Sequence, residues 1–142
     1  MSGFVVACDG SSHSGKAAKV AAQLAKATGQ KLTLLTVFPN SEIERMVVSG
    51  IMPEKIDEEV AAFGEEAFHA AKEAVGDTAE LAEDVLLRGD PAKQVLDYLE
   101  KHPGSHLVLG RRGHSLVRSL TLGSVSEKVV RHADAPVTVV TE

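Results

Sequence analysis

The chain carries a single cysteine, Cys8, no tryptophan and few aromatic residues of any kind. One cysteine excludes a disulfide within the chain, which fits a reducing compartment, and a cytoplasmic location is expected. Nowhere in the 142 residues does an apolar run approach the ~20 residues needed to cross a bilayer, so no membrane span is expected. The opening segment MSGFVVACDG has neither a basic lead nor a long apolar stretch, so no signal peptide is expected. Excess positive charge is also lacking. A formal net charge of −5 argues against a general nucleic-acid or membrane binder. The histidines show no metal-ligand spacing. His102 and His106 are four apart, but Pro103-Gly104 between them breaks any helix that would align them. No Ser-His-Asp, Cys-His or paired-carboxylate arrangement is legible, so no catalytic residue and no protein-held metal is assigned.

What is present is an ordinary apolar share, 44%, in a chain long enough to bury a core without staples. Strand-like and helix-like segments alternate. Phe4–Cys8 and Leu32–Phe38 are short apolar runs. Between them Val20, Ala21, Leu24 and Ala25 repeat at helical spacing, and Gly29 is a helix stop. Residues 40–53 have no clean period and read as a loop. Pro53 then opens a helix with an apolar stripe from Ile56 to Ala74. Leu81–Leu87 is a third strand. Asp90 is an N-cap with Pro91 at the first helical position. His106–Leu109 is a fourth strand, Gly123 or Ser124 opens a last helix, and Val137–Val140 is a fifth strand. Continuous apolar strands separated by amphipathic helices predict an α/β fold, a parallel sheet covered on both faces and Rossmann-like. No linker, repeat or low-complexity tract interrupts the pattern, so residues 1–142 are expected to form one domain.

In an open doubly wound sheet, ligands bind beyond the carboxyl ends of the strands. Asp9-Gly10-Ser11, Val37-Phe38 and Gly110 all fall at such ends. The stretch GRRGHSLVRSLTLGS places Gly110 and Gly113 two residues apart and Gly123-Ser124 nine residues further on. Glycine admits close backbone approach, and a helix opening at Gly123-Ser124 offers free N–H groups to an anion. The hydroxyls of Ser124 and Ser126 add donors. From Gly110 to His132 the bases Arg111, Arg112, Arg118, Lys128 and Arg131 face one acid, Glu127. A basic, glycine-containing segment on an acidic protein points to a local phosphate site. The motif is neither a Walker A loop nor Gly-x-Gly-x-x-Gly.

The Gly-x2-Gly-x9-Gly-Ser spacing resembles the nucleotide-binding motif of the universal stress protein family. Asp9-Gly10-Ser11, Gly89-Asp90-Pro91 and the tail Ser124–Ala133 followed by Ala135-Pro136-Val137 match that family in order along nearly the whole chain. The resemblance implies an open five-stranded parallel sheet in the order 3-2-1-4-5. It implies ATP as ligand, with AMP or ADP as variants, and Mg2+ or Mn2+ held through the phosphates. Asp9 would contact the nucleoside part, Val37 would meet adenine through its backbone, and Leu109 and Gly110 would lie along the nucleotide. Gly113, Gly123, Ser124, Val125 and Ser126 would surround the phosphates. A homodimer through the last strand, Val137–Val140, is implied as well. The expected function is an ATP-binding stress-response or signalling module with little or no turnover. The alternative is an ATP-hydrolysing or nucleotidyl-transferring enzyme on the same sheet. A phospho-receiver domain would need an acidic cluster at strand ends that Leu109-Gly110 and Val140-Thr141 do not supply.

Overall fold

In a computed structural model, which describes residues 3–111 and 124–141, the apolar runs become β1 (Gly3–Ala7), β2 (Leu32–Pro39), β3 (Leu81–Gly89), β4 (Ser105–Gly110) and β5 (Val137–Val140). They form one sheet in the order β3-β2-β1-β4-β5, parallel at every pairing, as the resemblance implied. β1 lies at its centre: Val6 aligns with Leu34 on β2 and with Val108 on β4.

Side chains alternate across each strand, so each strand feeds two cores. Phe4, Val6, Leu32, Leu34 and Val108 pack on one face against α1 (Ser12–Thr28) and α3 (Pro53–Val75). The α1 surface there is alanine: Ala17, Ala18, Ala21, Ala22 and Ala25 are all buried, and such small residues let the helix lie close to the sheet. Val5, Leu35, Leu107 and Leu109 pack on the opposite face against Val95 and Leu99 of α4 (Pro91–Lys101) and Val129 of α5 (Ser124–His132). Burial on both faces is why the inner strands β1, β2 and β4 read as largely apolar runs.

Caps set the helix ends. Ser11 accepts a hydrogen bond from the Ser14 amide at 3.2 Å, so α1 begins at Ser12, well before Val20, where the sequence pattern starts. Gly29 closes α1 with φ of 68°. Asp90 caps α4 by accepting from the Lys93 amide at 3.0 Å, with Pro91 in the first turn.

One expectation fails. The sequence reading makes 40–53 a loop, whereas Asn40–Val48 is a helix, α2. Its period is too short to read: Ile43 and Met46, with Ile51 beyond the helix, cover a small cluster of Phe38, Ile56 and Val60. No residue of α2 is fully buried, and Val48 is 87% exposed. Among the described residues no helix is long and apolar enough to cross a membrane. β3 and β5 are the two sheet edges.

Candidate functional site

The chain leaves β1 and β4 towards opposite faces of the sheet, into α1 and α5 respectively. Neighbouring strands that part in this way open a crevice at their carboxyl ends. A cavity of about 350 Å³ occupies that position. Its wall takes Ala7, Cys8 and Asp9 from the end of β1, Leu35 to Val37 from β2, and Leu109 and Gly110 from β4. Ser124, Val125 and Ser126 come from the start of α5, Pro39 from the end of β2, and Ser14, Phe63, Pro91, Val95 and Val129 from the helices.

Seven residues singled out from sequence therefore meet at one cavity: Asp9, Val37, Leu109, Gly110, Ser124, Val125 and Ser126. Gly113 and Gly123 lie outside the described residues.

Local bonding fixes the β1 side of the wall. Gly10 has φ of +84°, a conformation that favours glycine and turns the chain directly into α1. Asp9 Oδ1 accepts from the Ser11 amide at 2.9 Å, which holds the carboxylate at the rim. The Asp9 amide in turn donates to Ser14 Oγ at 3.3 Å, and that hydroxyl donates to the Ser11 carbonyl at 3.0 Å. Asp9 is thus tied to the first turn of α1, while the cap itself is Ser11. Cys8 beside it is chemically quiet. Burial, then the Asp9 and Asp84 carboxylates, push its thiol up to about 12, and Sγ donates to the Leu35 carbonyl at 3.5 Å.

On the opposite wall Ser126 Oγ donates to the Gly110 carbonyl at 2.9 Å. This bond clamps the start of α5 to the end of β4, a positioning role that sequence reading did not assign to Ser126. Ser124 is the first residue of α5. The first amides of a helix have no partner within it and carry a partial positive charge, so this end of the cavity favours an anion. Arg111, just beyond Gly110, donates its amide to the Val140 carbonyl and so ties the strand exit to β5.

The lining is mostly apolar with a few polar groups, the character of a small-molecule site. Sequence reading missed the other lining residues, among them Thr36, Ser14, Phe63, Pro91, Val95 and Val129. Thr36 gave no local signal, being a single hydroxyl in the strand segment Leu34-Leu35-Thr36-Val37-Phe38. Thr36 Oγ1 is buried and has no hydrogen-bond partner among the described residues, a situation that costs ~1–3 kcal/mol in a folded protein. Among the described residues no group of three or more His, Cys, Asp or Glu side chains is arranged to hold a metal.

Comparison with known proteins agrees with this architecture. The model of the universal stress protein family matches residues 3–141. Universal stress protein YxiE of Bacillus subtilis is 35% identical, over 96% of this chain and 97% of its own length. The structure of universal stress protein UspA from Lactobacillus plantarum superposes with a TM-score of 0.80 at 26% identity, over 97% of each chain. A universal stress protein crystallised in complex with cAMP superposes with a TM-score of 0.66 at 25% identity, over 98% of this chain and 96% of its own. The family model and the curated relative together settle the classification: the chain belongs to the universal stress protein family.

Proposed function

We infer that the chain is an adenine-nucleotide-binding module of the cytoplasm, with ATP as the preferred ligand and slow turnover at most. The observation that carries the reading is the convergence of Asp9, Val37, Leu109, Gly110, Ser124 and Val125, far apart in sequence, on one cavity at the strand ends. The residues fit such a ligand. An apolar centre suits a base, the Asp9 carboxylate suits ribose hydroxyls, and the start of α5 suits phosphate. The Thr36 hydroxyl in the same wall, without a partner among the described residues, suits a polar group of such a ligand. The related protein crystallised with cAMP lends support from a second direction.

In this reading the backbone of Val37 meets adenine and Asp9 the ribose. Leu109 and Gly110 lie along the nucleotide, and Gly113, Gly123, Ser124 and Val125 surround the phosphates. Ser126 acts at one remove by holding α5 against Gly110. Mg2+ or Mn2+ is held through phosphate oxygens rather than by a protein ligand set. Amides and hydroxyls of this kind grip phosphates equally in the ground and transition states, and uniform binding does not raise turnover. Turnover is therefore expected below the ~1 s⁻¹ lower end of typical enzymes. The same reading places a second copy of the chain against the edge strand β5, whose unpaired backbone invites strand pairing.

Mass analysis of nucleotide released by heat or acid from the purified protein tests the ligand. Recovery of an adenine nucleotide, or stoichiometric uptake of added ATP, is expected. Absence of both would defeat the reading. Turnover of several per second in a single-turnover assay, lost in a Gly123→Val, Ser124→Ala variant, would establish the enzyme alternative instead.

A further inference from the structure

Among the described residues, one buried polar side chain of the cavity wall has no hydrogen-bond partner. Thr36 is 2% exposed and lines the cavity, and its Oγ1 is the one buried side-chain oxygen or nitrogen without a partner among the described residues. Its neighbours in the wall are already committed. Ser14 Oγ donates to the Ser11 carbonyl, and Cys8 Sγ donates to the Leu35 carbonyl. Valine has the same shape as threonine and suits a strand equally well, so neither packing nor strand propensity accounts for a hydroxyl here. A fold gains nothing from burying it unless something else bonds to it.

We propose that the Thr36 hydroxyl is a ligand-recognition group that bonds the nucleoside half of the bound adenine nucleotide. The inference rests on the nucleotide reading above and adds a contact that the sequence motif does not contain. Thr36 adjoins Val37 on β2 and follows Leu35, which pairs with Ala7 just before Cys8-Asp9, so it is on the nucleoside side of the cavity in that reading. Gly110, Ser124 and Val125 form the wall contributed by β4 and α5, the phosphate side. Oγ1 is covered in its present rotamer. In this role a staggered step about χ1 turns the hydroxyl towards the cavity that the residue lines. A hydroxyl both donates and accepts, so it serves either a ring nitrogen or a ribose hydroxyl.

The role has a double signature. Removing a hydroxyl that is unsatisfied in the free protein leaves that protein as stable or more stable, while the complex loses a bond. Calorimetric titration of wild type and Thr36→Val with AMP and with ATP, alongside melting of the ligand-free proteins, reads both parts. The expected result is an affinity loss of at least about fivefold, or ~1 kcal/mol, by the same factor for AMP and ATP, with the ligand-free melting temperature unchanged or raised. Thr36→Ser and Thr36→Ala differ by the hydroxyl alone. Their affinity ratio carries the same expectation should the valine variant fail to fold. Wild-type affinity in Thr36→Val, equal affinities in the serine and alanine variants, or a loss confined to ATP would overturn the proposal. If wild type takes up neither AMP nor ATP, the nucleotide reading itself falls and this inference with it. If wild type binds and neither pair of variants separates, only the Thr36 role is lost.

Discussion

Two helices follow strands in this fold on very different terms. α1 buries six residues, is capped by Ser11 and Gly29, and seats an alanine surface directly on β1, β2 and β4. α2 buries none, has no side-chain cap, and touches the rest of the molecule through Ile43 and Met46. The first is held by long-range packing, the second by a small satellite cluster. Local opening should therefore cost much of the global stability at α1 and little at α2. Asp9, at the rim of the cavity, is bonded into the start of α1. The site is thus anchored to the stable element. α2 meets the cavity only indirectly, through the cluster that Phe63 joins.

Thiol chemistry should give the widest contrast. Cys8 packs in the α1 core with its thiol pushed up from 9.0 to about 12. The native protein then holds about a thousandfold less thiolate at pH 8 than the unfolded chain. Cys8 should resist a water-soluble thiol reagent at pH 8 while a Val48→Cys variant in α2 is labelled at once. Fast labelling of Cys8 would break the comparison. The same shift has a sign in stability. From pH 9 to about 12 the unfolded chain loses the thiol proton and the folded chain keeps it, so this group lowers stability as pH rises through that window and adds no pH dependence below it.

Core truncation comes next. Leu34 is fully buried against α1 and α3, and Leu34→Ala should cost ~2–5 kcal/mol in denaturant unfolding. Removing the α1 cap is smaller: Ser11→Ala should cost about 1 kcal/mol. At the other extreme Val48→Lys, on exposed α2, should change stability by no more than about 0.5 kcal/mol. A large loss at Val48 would mean that α2 is covered in solution, and would reverse the ranking of the two helices.

The same contrast explains what the sequence made legible. The strands, α1, α3, α4 and their order could be read because two-sided burial writes itself as continuous apolar runs and long stripes. The Asp90-Pro91 cap and the Gly29 stop announced their helix ends. α2 could not be read, since two partly buried residues three apart do not make a period, and Ser49-Gly50 suggests a turn. At the site, residues at strand ends were legible because topology alone brings the carboxyl ends of parallel strands together. Thr36 was not, because a single hydroxyl in a strand is unremarkable until the structure leaves it without a partner. The clamp from Ser126 to Gly110 was hidden for a similar reason. Its hydroxyl had the same value as a phosphate donor until its bond to the strand was seen.

The central claim is that the crevice between β1 and β4 holds an adenine nucleotide through backbone at Val37 and the glycine loop. Calorimetric titration with ATP and with GTP, on wild type and on Gly113→Val, tests it most directly. The account predicts tighter binding of ATP than of GTP, and a loss of ATP affinity of at least about tenfold, ~1.4 kcal/mol, in a folded Gly113→Val variant. Equal affinity for the two nucleotides, no binding of either, or an unchanged ATP affinity in the folded variant would contradict it.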